Sequence, residues 1–269
     1  QIYIGEFPIM TNTGTFIMEG GKIIDCYGES AGAVNNSSDY GLEATFIMRG
    51  GDIENNSSDD GVAVYNAGTM HMSEDASIPM KGDKTNKVML GAFSSIDIDS
   101  DLSSSENILL TTNRYIPGRQ ILKGNDIILS NNYSKFLLDV EDYRINLNGA
   151  LEYLGESVEY YVDAEGNDDN TGSKTSPFAT LARALFEIGN NGGVGVIHLC
   201  SDIEIDGPLM IFGSIKLINE DMPYTISRNS EYSDTMFIVF GQLELGQSEL
   251  NNQPEIAQLT ISGYIEEGM

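Results

Sequence analysis

The side chains best spaced for chemistry lie at Asp163–Asn170, where DAEGNDDN alternates oxygen donors along a short polar stretch. A hard cation such as Ca²⁺ takes roughly six to eight oxygen ligands, and Asp163, Glu165, Asn167 and Asp169 would offer them from alternate positions. The run departs from an EF-hand loop, because Gly166 comes early and Lys174 stands where the bidentate Glu is needed. The plainer reading is an acidic loop that caps its own backbone N–H groups, with a weak structural Ca²⁺ site as the alternative and no other cofactor implied. Ser57-Ser58-Asp59-Asp60 offers a second, smaller set of oxygens and reads as a solvated turn.

Acid–base and nucleophilic chemistry find less to work with. His71 and His198 are the only histidines, each in a strand-like run with no Cys or His at ligand spacing, so both read as single core or surface residues. A serine triad would need one of them, and no nucleophile elbow is present. A glycosidase would need two carboxylates about 5 to 9 Å apart, and a lyase a carboxylate-bound Ca²⁺ beside a Lys or Arg base. Asp97/Asp99 and Asp202/Glu204/Asp206 are spaced to share an outward strand face, which is the ordinary place for alternating acids. These residues indicate no enzyme.

The elements that would position them are repeats. GTFIMEGGKI at Gly14–Ile23 returns as ATFIMRGGDI at Ala44–Ile53, and more loosely as GTMHMSEDASI at Gly68–Ile78. Such self-similarity marks a solenoid, in which each unit buries its apolar face by stacking on the next. The TFIM core is short, β-branched and aromatic, and Gly-Gly follows it, which predicts a strand of about four residues closed by a tight bend. Alternation then turns Phe16, Met18, Phe46, Met48, Met70 and Met72 inward as core ladders, and Ile17, Ile47 and His71 outward. Gly20, Gly21, Gly50 and Gly51 become corners. AVNN at Ala33–Asn36 and AVYN at Ala63–Asn66 recur at the same spacing and put Asn36 and Asn66 at stacked corners. Coils of this kind describe an all-β chain wound as a parallel β-helix.

Composition sets the bounds. The 269 residues carry 41 Asp+Glu against 14 Lys+Arg, a formal charge of −27, which repels nucleic acid and anionic lipid. With 41% hydrophobic residues in alternating patterns a core can still be buried, so the charge reads as a solvated surface. Cys26 and Cys200 read as two buried thiols rather than a disulfide framework. No apolar run of about 18 residues predicts direct membrane insertion. The start at Gln1, without a leader-like segment, reads as a piece cut from a longer polypeptide.

Along the chain, residues 1–80 hold the Gly-Gly coils and 81–155 hold irregular strands, either a cap or a linker to the next unit. Within the latter, SIDIDSDL, NILLT, QILKG, DIILS, KFLLDV and YRINLNGAL all read as strands, and the alternation of Ile96 with Ile98 and of Ile145 with Leu147 marks half-buried ones. Residues 156–269 begin with a strand and one amphipathic helix at about 177–188, with Ser176 as N-cap, Pro177 at N1 and Gly189 as its end. That helix reads as a plug over the core. Strands then resume, and Gly241–Gly246 repeats the layout of Gly14–Gly20.

The run YYVDAEGNDDNTGSKTSPFATLARAL resembles the N-terminal entry of right-handed parallel β-helix domains of the pectate-lyase-like superfamily. GTFIMEGGKI and ATFIMRGGDI are similar to the GTFTMxGGxI coils of adhesin-like bacterial and archaeal surface proteins. The resemblance implies a right-handed winding, an extracellular or cell-surface setting and a non-catalytic structural or adhesive role. The implied partners are identical copies end to end, with host or cell-surface glycans as a further class. A carbohydrate-active lyase or glycosidase and a glycan-binding adhesin are the alternatives, since the superfamily holds all three. In the family the entry precedes the Gly-Gly coils, whereas here it follows them, and QLTISGYIEEGM joined to QIYIGEFPIM restores the family order. A tandem array cut at an arbitrary point is therefore expected.

Overall fold

The computed structural model describes residues 8–38, 43–81, 85–246 and 259–262, together with the backbone of 3–4. The chain is a parallel β-solenoid built mostly of short strands, with two short α-helices among the described residues. It divides into two compact units, residues 1–115 with 120–154 and residues 116–119 with 155–269. The expected passage from Tyr264–Met269 into a following copy's Gln1 lies outside the described residues.

In the first unit, sheet A stacks Thr15–Ile24, Thr45–Glu54, Thr69–Ser77, Ile96–Leu102 and Leu122–Lys123. Sheet B stacks Met10–Asn12, Val34–Asn36, Val62–Asn66, Lys87–Leu90, Ile108–Thr112 and Phe136–Leu138. Every pairing in both is parallel, so like positions superpose from coil to coil. Phe16, Phe46, Met70, Ile96 and Leu122 form one inward row, and Met18, Met48, Met72 and Ile98 a second. Ile17, Ile47, His71, Asp97 and Lys123 form the outward row between them. The core follows from side chains of period two, stacked at about 4.8 Å.

The repeat strands are longer than the sequence suggests. Thr15–Ile24 and Thr45–Glu54 each run for ten residues through their Gly-Gly pairs, and the register slips at Met18/Glu19 and again between Glu19 and Lys22. Gly21 and Gly51 have φ of +85° and +91°, a conformation open to glycine, so the pair bends the strand as a bulge instead of ending it.

The coils continue beyond residue 80 to Leu138. Within this stretch DIILS is helical, not extended: α1 spans Asp126–Asn132, capped by Asn125, whose side chain accepts from Ile128 N at 3.0 Å. Its buried Leu129 joins the core. Strand Leu122–Lys123 pairs only with Ile96 and Asp97, and α1 packs on the remainder of Ile96–Leu102. An antiparallel hairpin, Tyr143–Ile145 with Leu151–Tyr153, packs beside the last strand of sheet B. Leu147 sits in its turn and is exposed, although its alternation with Ile145 predicts the inward face of a half-buried strand.

In the second unit Val158–Val162, Val194–Leu199, Ser214–Asn219 and Gln242–Gly246 form a four-stranded parallel sheet. Ile203–Ile205, Thr225–Arg228 and Thr260–Ser262 form a second, and Leu209–Ile211 with Phe237–Val239 a third. Helix α2 spans Leu181–Asn190, not 177–188, and its cap is Thr180, which accepts from Arg183 N at 3.1 Å. The later start has a cause in the preceding residues. Phe178 N donates to Tyr161 O at 3.0 Å and Phe178 O accepts from Asp163 N at 2.9 Å, which holds Pro177–Phe178 extended against the first strand. Leu181, Ala184 and Ile188 bury the helix against that strand and its neighbour.

Candidate functional site

The apolar ladder residues and the asparagines singled out by the repeat lie in the first unit's interior, whereas Gly20 and Gly21 are exposed. Phe46, Met48, Met70 and Met72 are fully buried and Met18 nearly so. The Phe16 and Phe46 rings stack at 5.1 Å and 9°, and Phe16, on the first rung, is only half-buried. Asn36 and Asn66 are also fully buried. A buried carboxamide must find partners, and these find them in neighbouring coils. Asn12 Nδ2 donates to Asn36 Oδ1 and Asn36 Nδ2 to Asn66 Oδ1, each at 2.7 Å. The same amides reach Thr45 O at 2.8 Å and Thr69 O at 2.9 Å.

A second ladder escaped the sequence reading. Asn56 Oδ1 accepts from Cys26 N and Asn86 Oδ1 from Asn56 N, both at 3.0 Å. Their Nδ2 groups donate to Ile23 O and Ile53 O at 2.8 Å. Asn132, at the end of α1, takes Leu102 N in the same way at 3.0 Å. The spacing of Asn56 and Asn86 repeats that of Asn36 and Asn66, and was the available signal.

In the second unit one charged cluster stands out. Glu220 is 7% exposed; its Oε1 accepts from Lys174 Nζ and its Oε2 lies 2.7 Å from His198 Nδ1. His198 stacks on Tyr161, its partner across the sheet, at 4.4 Å and 15°. Burial pushes the Glu220 carboxyl up, but the Lys174 and His198 hydrogen bonds outweigh it and hold the group below the usual range. His198 Nε2 is buried and lies 3.6 Å from Glu159 Oε2, beyond hydrogen-bond reach. A general base needs an accessible nitrogen, so this pair ties strands together more readily than it serves a substrate. The neighbouring Cys200 thiol is pushed up to about 11, first by burial and then by the Asp163, Glu220 and Asp221 carboxylates. It stays protonated and poorly nucleophilic near neutral pH. Cys26 and Cys200 are both free thiols and partly exposed, not buried as expected, and Cys26 Sγ lies 3.1 Å from Ile24 O.

The acidic loop turns its oxygens on its own chain. Asp163 Oδ1 accepts from Glu165 N at 3.0 Å and Asn167 Oδ1 from Asp169 N at 2.9 Å. Asp168 Oδ1 takes Ala179 N and Thr180 N at 2.9 Å, and Oδ2 takes Thr180 Oγ1 at 2.8 Å, which anchors the approach to α2. Ser58 Oγ likewise accepts from Val62 N at 3.1 Å, in a turn. Among the described residues no group of three or more His, Cys, Asp or Glu side chains is placed to share a metal ion. Asp97 and Asp99 flank His71, whose Nδ1 is 3.1 Å from both Asp99 oxygens. Asp202 Oδ1 accepts from Thr225 N at 2.7 Å, and Glu204 pairs with Asn229.

A cavity of about 420 Å³ lies beside α2, lined by apolar groups that include Leu185, Phe186, Pro208, Met210 and Phe212. No helix among the described residues is long and apolar enough to cross a membrane. No protein-family model matches the chain, and neither does any curated protein or solved structure.

Proposed function

We propose that this chain is a non-catalytic, extracellular structural or adhesive repeat unit of a cell-surface or filament protein, stacking end to end with identical copies. The observation that carries the reading is the ladder Asn12–Asn36–Asn66, in which buried polar groups join coil to coil instead of lining a cleft. The side chains with catalytic potential follow the same pattern, since the acidic loop, Glu220 and His198 all bond within the fold. The resemblance of Tyr160–Leu185 and of the Gly-Gly coils to right-handed, pectate-lyase-like β-helices of adhesin-like surface proteins supports the same role. A surface of charge −27 suits a solvated exterior rather than nucleic acid or anionic lipid.

Immunogold labelling of intact source cells, with the molar mass of the native polypeptide in denaturant, tests the proposal. Surface label and a mass near a multiple of 29.3 kDa are expected. Label confined to the cell interior would overturn it, and so would reducing sugar released from a neutral glycan by the purified chain and abolished by one carboxylate substitution.

A further inference from the structure

On a solvated strand face the side chains that alternate with the core are ordinarily polar, as Glu204 is between Ile203 and Ile205, and Lys216 between Ile215 and Leu217. The stretch Leu209–Gly213 breaks that rule. Leu209 and Ile211 are buried in the core of the second unit, and the residues that alternate with them, Met210 and Phe212, are apolar as well and stay 50% and 39% exposed. Helix α2 does the same beside it. Its buried stripe is Leu181, Ala184 and Ile188, yet Phe186, off that stripe, is 58% exposed. The fold gains nothing from leaving three large apolar groups in water, and all three line one cavity.

That cavity, of about 420 Å³, has its walls within residues 182–215. Helix α2 contributes Leu185 and Phe186, the strand Leu209–Ile211 and its end contribute Met210 and Phe212, and small residues keep the space between them empty. Gly189 stands in the last turn of α2, where a Cβ would meet nothing within 4 Å. Gly193 and Gly213 lie against each other in successive coils, since a Cβ on Gly213 would come within 1.9 Å of Gly193 O. Phe212 is a fixed wall, because its ring stacks on Phe240 at 4.8 Å and 2°.

The lining states the chemistry of its occupant. Among the described residues that line the cavity none is charged, in a chain with 20% charged residues, and Asn190 is the one polar side chain. Arg183, whose guanidinium lies 5.7 Å from the centre of the Phe186 ring, is paired with Glu187 at 2.7 Å and so is already neutralised. The formal charge of −27 further disfavours an anion. A dry apolar cavity of roughly 150 Å³ takes one benzene ring, so this one has room for about two. Two phenyl walls and a thioether favour flat aromatic faces over a flexible alkyl chain. We propose that the cavity beside α2 binds an uncharged aromatic small molecule with two ring systems, held against Phe186, Met210 and Phe212, with Asn190 offering a hydrogen bond. The site lies wholly in the second unit and does not rest on the repeat-unit reading.

Titration of the purified chain with phenylnaphthylamine, an uncharged dye of two ring systems that brightens in apolar surroundings, gives the test. Fluorescence should rise and saturate at one dye per chain. Gly189→Leu fills the cavity from an exposed helical position and should abolish the rise, with the melting temperature kept or raised because leucine is the better helix former. If Gly189→Leu misfolds, Ala182→Leu, also exposed and on the cavity wall, replaces it. Phe186→Ala removes a wall from an exposed position and should weaken binding by about tenfold or more in a chain that melts as before. The sulfonated dye anilinonaphthalene sulfonate should bind more weakly than phenylnaphthylamine by about tenfold or more. A wild type whose signal stays flat or never saturates, a folded cavity-filling variant that binds as wild type does, or an unchanged affinity in Phe186→Ala would each overturn the site. Equal affinity for the two dyes would overturn the assignment of an uncharged ligand.

Discussion

Asn36 Nδ2 donates to Asn66 Oδ1 at 2.7 Å with both side chains fully buried, so the corner of one coil is completed only by the next. Stability in the first unit is thereby a property of neighbours rather than of single coils.

Replacing Asn36 with Ala should therefore cost more than its own contacts. Asn66 Oδ1 and Thr69 O lose their donor, and Asn12 Nδ2 loses its acceptor, all in the interior. A loss of about 2–4 kcal/mol is expected from a lowered urea midpoint, since each unsatisfied buried group costs roughly 1–3 kcal/mol. Asn36→Asp should do no better, because it accepts but cannot donate. An unchanged midpoint in either variant would contradict the ladder.

The two glycine pairs should respond differently to the same methyl group. Gly51→Ala meets Gly21 O in a left-handed conformation, and about 2 kcal/mol or more of destabilisation is expected. Gly20→Ala meets nothing within 4 Å and should leave the melting temperature of the dilute chain where it was. Equal effects would mean that the bulge does not bring the coils as close as described.

Glu220 sets an acid dependence. Its folded carboxyl titrates below the usual value of 4.5, so it contributes stability that is present above about pH 4.5 and lost as pH falls through the lowered value. Glu220→Gln removes that contribution. The melting-temperature gap between wild type and Glu220→Gln should be widest near neutral pH and narrow on acidification to about pH 3. A gap that does not change with pH would contradict the charged cluster.

Cys200 should resist alkylation in the folded chain. With its thiol pushed up to about 11 from 9.0, the thiolate fraction near pH 8 falls by about 100-fold. Iodoacetamide labelling followed by mass spectrometry should be slower than in urea by about that factor and accelerate as pH rises. Labelling of Cys200 as fast in the folded as in the unfolded chain would refute the assignment.

What the sequence makes legible here is the part written in repeats. The Phe16/Phe46 row and the Asn36/Asn66 corners recur at one spacing, and parallel stacking turns equal spacing into contact. What repeats do not encode is harder to see. Ile127, Ile128 and Leu129 carry strand-forming character, yet Asn125 and Asp126 before them supply a cap and a negative first turn, and helix results. Ser176-Pro177 is the stronger written start for α2, but the pairing of Phe178 with Tyr161 claims those residues first. His198 lies in strand Val194–Leu199 and Glu220 just past the end of Ser214–Asn219, 22 residues away, and no local pattern announces that they meet.

The pairing of Thr15 with Thr45 winds thirty residues into one strand spacing, about 4.8 Å of rise. Drawn straight, the same thirty residues reach about 100 Å, roughly twenty times that rise. Such a coil holds a long reserve of contour length on a short spool. Pulled from its ends it would pay out one turn at a time, each step ending at the next intact ladder.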